Sequence, residues 1–234
     1  GYSEEVGAFI KKYYDAARKT GVVIEGKIPN PDEGNLSYYN EIMGMDFQMN
    51  PGFILTSLKK WLPRMNDLQR QNVAESVYDS LDSMRKAGKT ENMLKNAYIK
   101  FMCWLYYKFE RIVNQLGENN IPKILYEGNI SSYELMLISI LSNAGCDVVF
   151  LQYEGDSGYL KSDPGSVLSD SLQMNGLGAF PQGYCIKKVR DEIQNEINNE
   201  RLYGTRPTIT NCTNAWISGK GLDDIRESIM LRGN

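Results

Sequence analysis

The sequence of 234 residues contains no histidine. That absence excludes Ser-His-Asp and Cys-His catalysis within the chain, and it removes the common zinc sites, which need His or clustered Cys. Cysteine is scarce as well. Cys103, Cys146, Cys185 and Cys212 are widely spaced, no C-x-x-C pair occurs, and no secretory leader is recognisable. They read as free thiols in a reducing compartment, which places the chain in the cytoplasm. Long apolar runs are also missing. The most apolar stretch, YIKFMCWLYYKF (98–109), carries two lysines and is too short to span a bilayer. An excess of positive charge is lacking too. Residues 1–120 hold 16 basic and 15 acidic side chains, and residues 121–234 hold 10 and 14. Neither part has the basic footprint of a protein that binds phosphate backbones, so no nucleic-acid partner is expected.

What is present is ordinary globular material, with an apolar share of 42% and a charged share of 24%. The first residue is Gly1 rather than Met, which reads as a processed or an engineered chain. The pattern predicts an α/β protein: a mainly helical domain over 1–120, then a small Rossmann-like parallel-sheet domain over 121–234, the two packed as one unit or separate.

Ser3 caps a predicted helix through EEVGAFIKKYYDAARK, closed by Gly21. Residues 22–52 carry Pro29, Pro31 and Pro51 with several Gly and Asn, and read as a long irregular crossing. Asn66 with Gln69 marks the start of a second helix, whose inner face reads as Leu68, Val73, Val77, Leu81 and Met84 before Gly88. Thr90 opens a third helix, running unbroken to Gly117. The aromatic density there (Tyr98, Phe101, Trp104, Tyr106, Tyr107, Phe109) is better explained by burial between layers than by a stacking platform for bases or sugars.

From residue 121 the period changes. KILYEG (123–128) reads as a strand, the Ser131/Glu134 S-x-x-E capping box opens a helix that ends at Gly145, and CDVVFL (146–151) reads as a second strand. Such a unit implies parallel strands joined by a right-handed crossover. A long polar segment follows, of the kind that forms a lid or stays irregular. Then come a charged helix over 186–203, an extended TITNCTNAWI (208–217) and a last short helix, LDDIRESIML.

Ligands in open parallel sheets collect beyond the carboxyl ends of the strands, where amides at a helix start attract anions. The candidate binding residues are therefore Glu127, Gly128, Asn129, Ser131 and Ser132. In this reading Glu127 accepts from ribose or sugar hydroxyls or acts as a base. The alternative for the GNISS turn (128–132) is a plain capped helix start. Glu154, Asp156 and Asp163, with Lys161 among them, form a candidate carboxylate set for Mg²⁺ held together with a nucleotide. The alternative there is a solvated acidic loop. No G-x-G-x-x-G and no Walker A lysine occurs, and GKG (219–221) lacks the spacing of a phosphate loop.

The stretch KNAYIKFMCWLYYKFERIV (95–113), then IPKILYEGNISSYELMLISILSNAGCDVVFLQYEGD (121–156), then SDPGS (162–166), resembles the YceG-like proteins. That family is encoded beside tellurium-resistance (Ter) stress genes and is described as a component of a biosynthetic module. Where the family pattern reads Tyr-Tyr-Gly at the strand end, this chain has Tyr126-Glu127-Gly128. The resemblance transfers no catalytic residue. It implies part of a longer protein in a stress-response pathway. Two roles follow as expectations: binding a phosphorylated or nucleotide-linked small molecule, or acting as a non-catalytic interaction module among other Ter-type stress proteins.

Overall fold

The computed structural model describes residues 1–30, 36–117, 121–171 and 174–203. The readings at 208–217, Cys212, GKG (219–221) and LDDIRESIML lie outside them. The chain divides into compact units Gly1–Val189 and Arg190–Asn234. In the second, residues 190–203 belong to helix α8 (Ile186–Tyr203), where Gln194 donates to Asn198 at 2.9 Å.

The first unit is mixed α/β and mostly helical, with one small sheet. Helix α1 (Glu4–Thr20) begins at Ser3, whose hydroxyl accepts the Val6 amide, with acids in the first turn and bases in the last. Gly21 closes it as expected, for a different reason. Its φ is −144°, not left-handed, but a Cβ there would lie 1.6 Å from the Lys123 carbonyl oxygen. Glycine lets the chain leave α1 directly against the sheet.

Among the described residues, the crossing expected over 22–52 holds β1 (Val22–Glu25) and α2 (Leu36–Met43), and a third helix already begins at Pro51. β1 is only four residues, and its hydrogen-bonding partner comes about a hundred residues later. Nothing local marks it beyond Val-Val-Ile between glycines. Helix α3 (Pro51–Trp61) starts on the Asn50 side chain, with Pro51 in its first turn. Helix α4 (Asp67–Lys86) carries the expected Asn66/Gln69 capping box in full.

Leu68 is not on the inner face of α4; it is 65% exposed. The buried stripe runs through Arg70, Val73, Ala74, Val77, Leu81 and Met84, and Leu68 falls out of phase with it. Arg70 sits in that stripe because its guanidinium donates to Asp67 and to the Met65 carbonyl. The third helix is also not continuous. Helix α5 (Glu91–Tyr107) ends where Phe109 bonds back to Trp104, and a short α6 (Glu110–Val113) restarts. No Gly or Pro causes this break. The turn brings Phe109, Ile112 and Val113 all into the core. Tyr98, Phe101 and Trp104 of α5 are buried, and Trp104 donates its indole N–H to the Pro29 carbonyl at 2.7 Å, so this aromatic helix is core.

β2 (Lys123–Glu127), α7 (Ser132–Asn143) and β3 (Asp147–Leu151) follow as strand, helix and strand. The sheet order is β1-β2-β3 and every pair is parallel, with Ile24, Tyr126 and Phe150 in register. Side chains alternate between its faces. Ile24, Ile124 and Tyr126 join the main core with residues of α2 to α7. Leu125 and Leu151 point to the opposite face, where α1 packs against β1 and β2. Burial on both sides is what an all-parallel sheet requires.

Candidate functional site at the carboxyl end of the sheet

All three strands end on the same side, and the turn after β2 leads straight into α7. Asn129, Ser131 and Ser132 are exposed there, while Ile130 between them is buried. Ser131 is the N-cap. Its hydroxyl accepts the Glu134 amide at 3.4 Å, and both its amide and its hydroxyl donate to Glu134 Oε2, at 2.9 and 2.6 Å. The other carboxylate oxygen of Glu134 accepts the Ile28 amide at 2.6 Å. Glu134 is only 6% exposed and ties the loop after β1 to the first turn of α7. Burial pushes the Tyr126 phenol well above its usual pKa, and the nearby Glu134 carboxylate adds to this.

Glu127 stands at the tip of β2 on the α1 face. Its Oε1 accepts the Ile186 amide at 2.7 Å, at the first residue of α8, and also the Tyr153 hydroxyl. Burial first, and then this carboxylate, hold Tyr153 in its protonated form far above the ordinary phenol range. Glu127 thus serves as a helix-terminus carboxylate. Gly128 has φ +100°. It donates its amide to the Leu151 carbonyl at 3.2 Å and accepts from Gln152 Nε2 at 2.6 Å. The Asn129 side-chain oxygen lies so close to Gly158 that a Cβ there would meet it at 2.0 Å.

The acidic residues divide. Glu154 and Asp156 are exposed, and Asp156 accepts from Ser171 at 3.3 Å. Lys161 is exposed as well. Asp163 is buried, and its carboxylate accepts the Val167 amide (3.1 Å), the Leu168 amide (2.9 Å) and the Tyr159 hydroxyl (3.0 Å). Desolvation raises its pKa, but these donors outweigh it and the net direction is down. Among the described residues no group of three or more His, Cys, Asp or Glu is placed to hold a metal ion. Glu154, Asp156 and Asp163 are therefore not gathered into a cage.

Sequence reading missed the aromatic cluster that closes this end. Tyr2, Tyr153, Phe180 and Tyr184 pack with ring centroids 4.9–5.7 Å apart, and Tyr2 and Gly178 exchange main-chain hydrogen bonds. These residues are spread from one end of the compact unit to the other, so no periodicity links them. Glu134, by contrast, was visible as a capping-box acid, but its bond to Ile28 was not. Cys146 is buried, which lifts its thiol to about 12 and makes it a poor nucleophile. An open groove of about 470 Å³ is lined by Asp46, Phe47, Thr90, Glu91, Asn92 and Lys95, none of them at the strand ends. Among the described residues no helix is long and apolar enough to cross a membrane.

Comparison with curated proteins and with solved structures finds no match. The YceG domain family matches residues 2–198, a span that takes in all three strands of the described residues and the carboxyl end of their sheet. With most of its length covered by that match, the chain belongs to the YceG domain family.

Proposed function

We propose that this chain is a non-catalytic interaction module within a cytoplasmic, Ter-type stress-response biosynthetic system, working by assembling partner proteins. One observation carries the reading. At the carboxyl end of the Rossmann-like unit, the start of α7 is capped by Glu134 and the start of α8 by Glu127. Each helix terminus already holds a carboxylate of its own, so the positive potential that would attract a phosphate is largely offset. Glu127 and Asp163, the groups best suited to general-base or metal work, are likewise engaged by the chain itself.

A second reading keeps the same pathway but has the domain bind a phosphorylated or nucleotide-linked small molecule, with Mg²⁺ beside it. Its support is the exposure of Asn129, Ser131 and Ser132 at the strand end, together with the exposed Glu154 and Asp156. Native mass spectrometry of freshly purified chain, with a thermal-shift screen of nucleotides and Mg²⁺, separates the two. Ligand at a hundred times Kd adds about 2.7 kcal/mol of stability. A retained small molecule, or a melting shift of that size lost in Ser131→Ala/Ser132→Ala, establishes the second reading and overturns the first. Co-purification of a Ter-type protein with no ligand-induced shift supports the first.

A further inference from the structure

We propose that residues 174–185 form a strap that opens as one unit, is held shut by Tyr2, and so gates the carboxyl end of the sheet on its α1 face. Two segments pack at the strand ends, and they are built differently. Residues 156–168 are anchored from within. Tyr159 and Asp163 are buried there, Tyr159 packs with the main core, and the Asp163 carboxylate accepts two amides. The Ser162 hydroxyl also donates to the Ile130 carbonyl at 2.8 Å. Residues 174–185 have no such anchor. None of them is buried, and only Leu177, Phe180, Tyr184 and Cys185 are half-buried. A segment with so few buried apolar contacts belongs to the part of a fold that opens first.

What holds the strap is the amino end of α1. The Tyr2 amide donates to the Gly178 carbonyl at 2.8 Å, and the Gly178 amide donates back to Tyr2 at 2.9 Å, a closed antiparallel pair. The Tyr2 ring meets the rings of Phe180 and Tyr184, each at 5.4 Å between centroids. Its hydroxyl lies over Gly7 of α1, where a Cβ would come within 2.5 Å of it. The next residue, Ser3, is the N-cap of the same helix. Tyr2 is therefore a fixed post on a capped helix, and the strap leans on it. One side chain joins the main-chain pair to both rings, so losing it releases the strap together.

The other end of the strap marks the hinge. The Ile186 side chain is fully buried and its amide is held by Glu127 at 2.7 Å, so the start of α8 stays in place when the strap swings. In the closed form Phe180 and Tyr184 cover Tyr153, at 4.9 and 5.7 Å between centroids. Opening lifts both rings away and bares Tyr153, together with the Glu127 carboxylate that holds its hydroxyl. This goes beyond the partner-binding reading and does not depend on it, because the strap controls access to the strand end whatever binds there.

Amide hydrogen exchange of the full chain, read residue by residue by NMR, gives the first test. In the unmodified chain the protection of Gly178 is expected to lie at least about a hundredfold below that of the α5 core amides, with Ile186 clearly better protected than Gly178. Tyr2→Ala is expected to lower Gly178 protection by about a further tenfold, from the loss of its two ring contacts, and to leave Ile186 and α5 unchanged. Hydroxyl-radical footprinting should show Tyr153 oxidised faster in Tyr2→Ala. A lock tests the reverse. Partners that exchange both main-chain hydrogen bonds lie about 5.5 Å apart between Cα atoms, within disulfide reach. Tyr2→Cys with Gly178→Cys, in a chain also carrying Cys185→Ser and Cys212→Ser, should therefore shield Tyr153 more when oxidised than when reduced. Gly178 protected as strongly as α5 makes the strap part of the global fold and overturns the proposal. So does a Tyr2→Ala chain with unchanged Gly178 exchange and Tyr153 oxidation, or one in which Ile186 loses protection in step with Gly178. The unmodified chain decides the first point even where a variant fails to fold. No partner enters these readouts, so failure here leaves the partner-binding reading standing.

Discussion

Glu134 offers the sharpest test of how the carboxyl end of the sheet is held. Its carboxylate takes three donors, the amides of Ile28 and Ser131 and the Ser131 hydroxyl, in a site only 6% exposed. In Glu134→Ala the exposed Ser131 hydroxyl can turn to water, but the Ile28 and Ser131 amides lose their acceptor. Each unsatisfied buried amide costs about 1–3 kcal/mol, so the loss is expected near 3 kcal/mol, with about 6 as an upper bound. Glu134→Gln keeps one acceptor oxygen and should lose about half as much. Ser131→Ala removes the cap and one of the three donors to Glu134 but leaves both amides their acceptor, and should cost about 1 kcal/mol. Urea unfolding followed by far-UV circular dichroism reads all three. With a slope of about 2 kcal/mol/M, the alanine variant's midpoint should fall by roughly 1.5 M. Amide exchange at Ile28 should rise in both Glu134 variants and stay near normal in Ser131→Ala. If Glu134→Ala costs no more than Ser131→Ala, the carboxylate is only a local helix cap and the account of this end of the sheet is wrong.

Other perturbations test separate links. Gly21→Ala drives a Cβ into the Lys123 backbone; a loss of about 2–3 kcal/mol or more in the same unfolding assay is expected from overpacking. Tyr153→Phe removes the hydroxyl that donates to Glu127 and should cost about 1 kcal/mol. It should also speed amide exchange at Ile186, which shares that carboxylate oxygen. For Asp163, a folded pKa below its unfolded value means the carboxylate stabilises the fold above the ordinary Asp range, and that contribution is lost as pH falls through the folded pKa. The stability gap between the natural chain and Asp163→Asn should therefore be full at neutral pH and should close below about pH 3.9. A gap unchanged with pH would remove the charge from the explanation. Leu68→Gln, on the exposed side of α4, should stay within about 0.5 kcal/mol of the natural chain.

The sequence by itself determined the features that depend on neighbours in the chain. Helix starts at Ser3, Asn66, Thr90 and Ser131 were legible because a capping side chain and the amide it accepts lie three residues apart. The parallel pairing of β2 and β3 was legible because a capped apolar helix between two apolar runs leaves few other arrangements. The absence of histidine closed off whole classes of chemistry before any fold was known. Only tertiary structure decided the rest. β1 exists because β2, about a hundred residues later, supplies its hydrogen bonds; four residues alone do not form a stable strand. Leu68 is outside and Arg70 inside because the phase of α4 is set by what it packs against. The polar groups of the strand ends could be listed from the sequence, but their partners could not. Glu127 meets Ile186 and Tyr153, and Glu134 meets Ile28, across separations no local pattern encodes, and those contacts settle whether each carboxylate faces water or the chain.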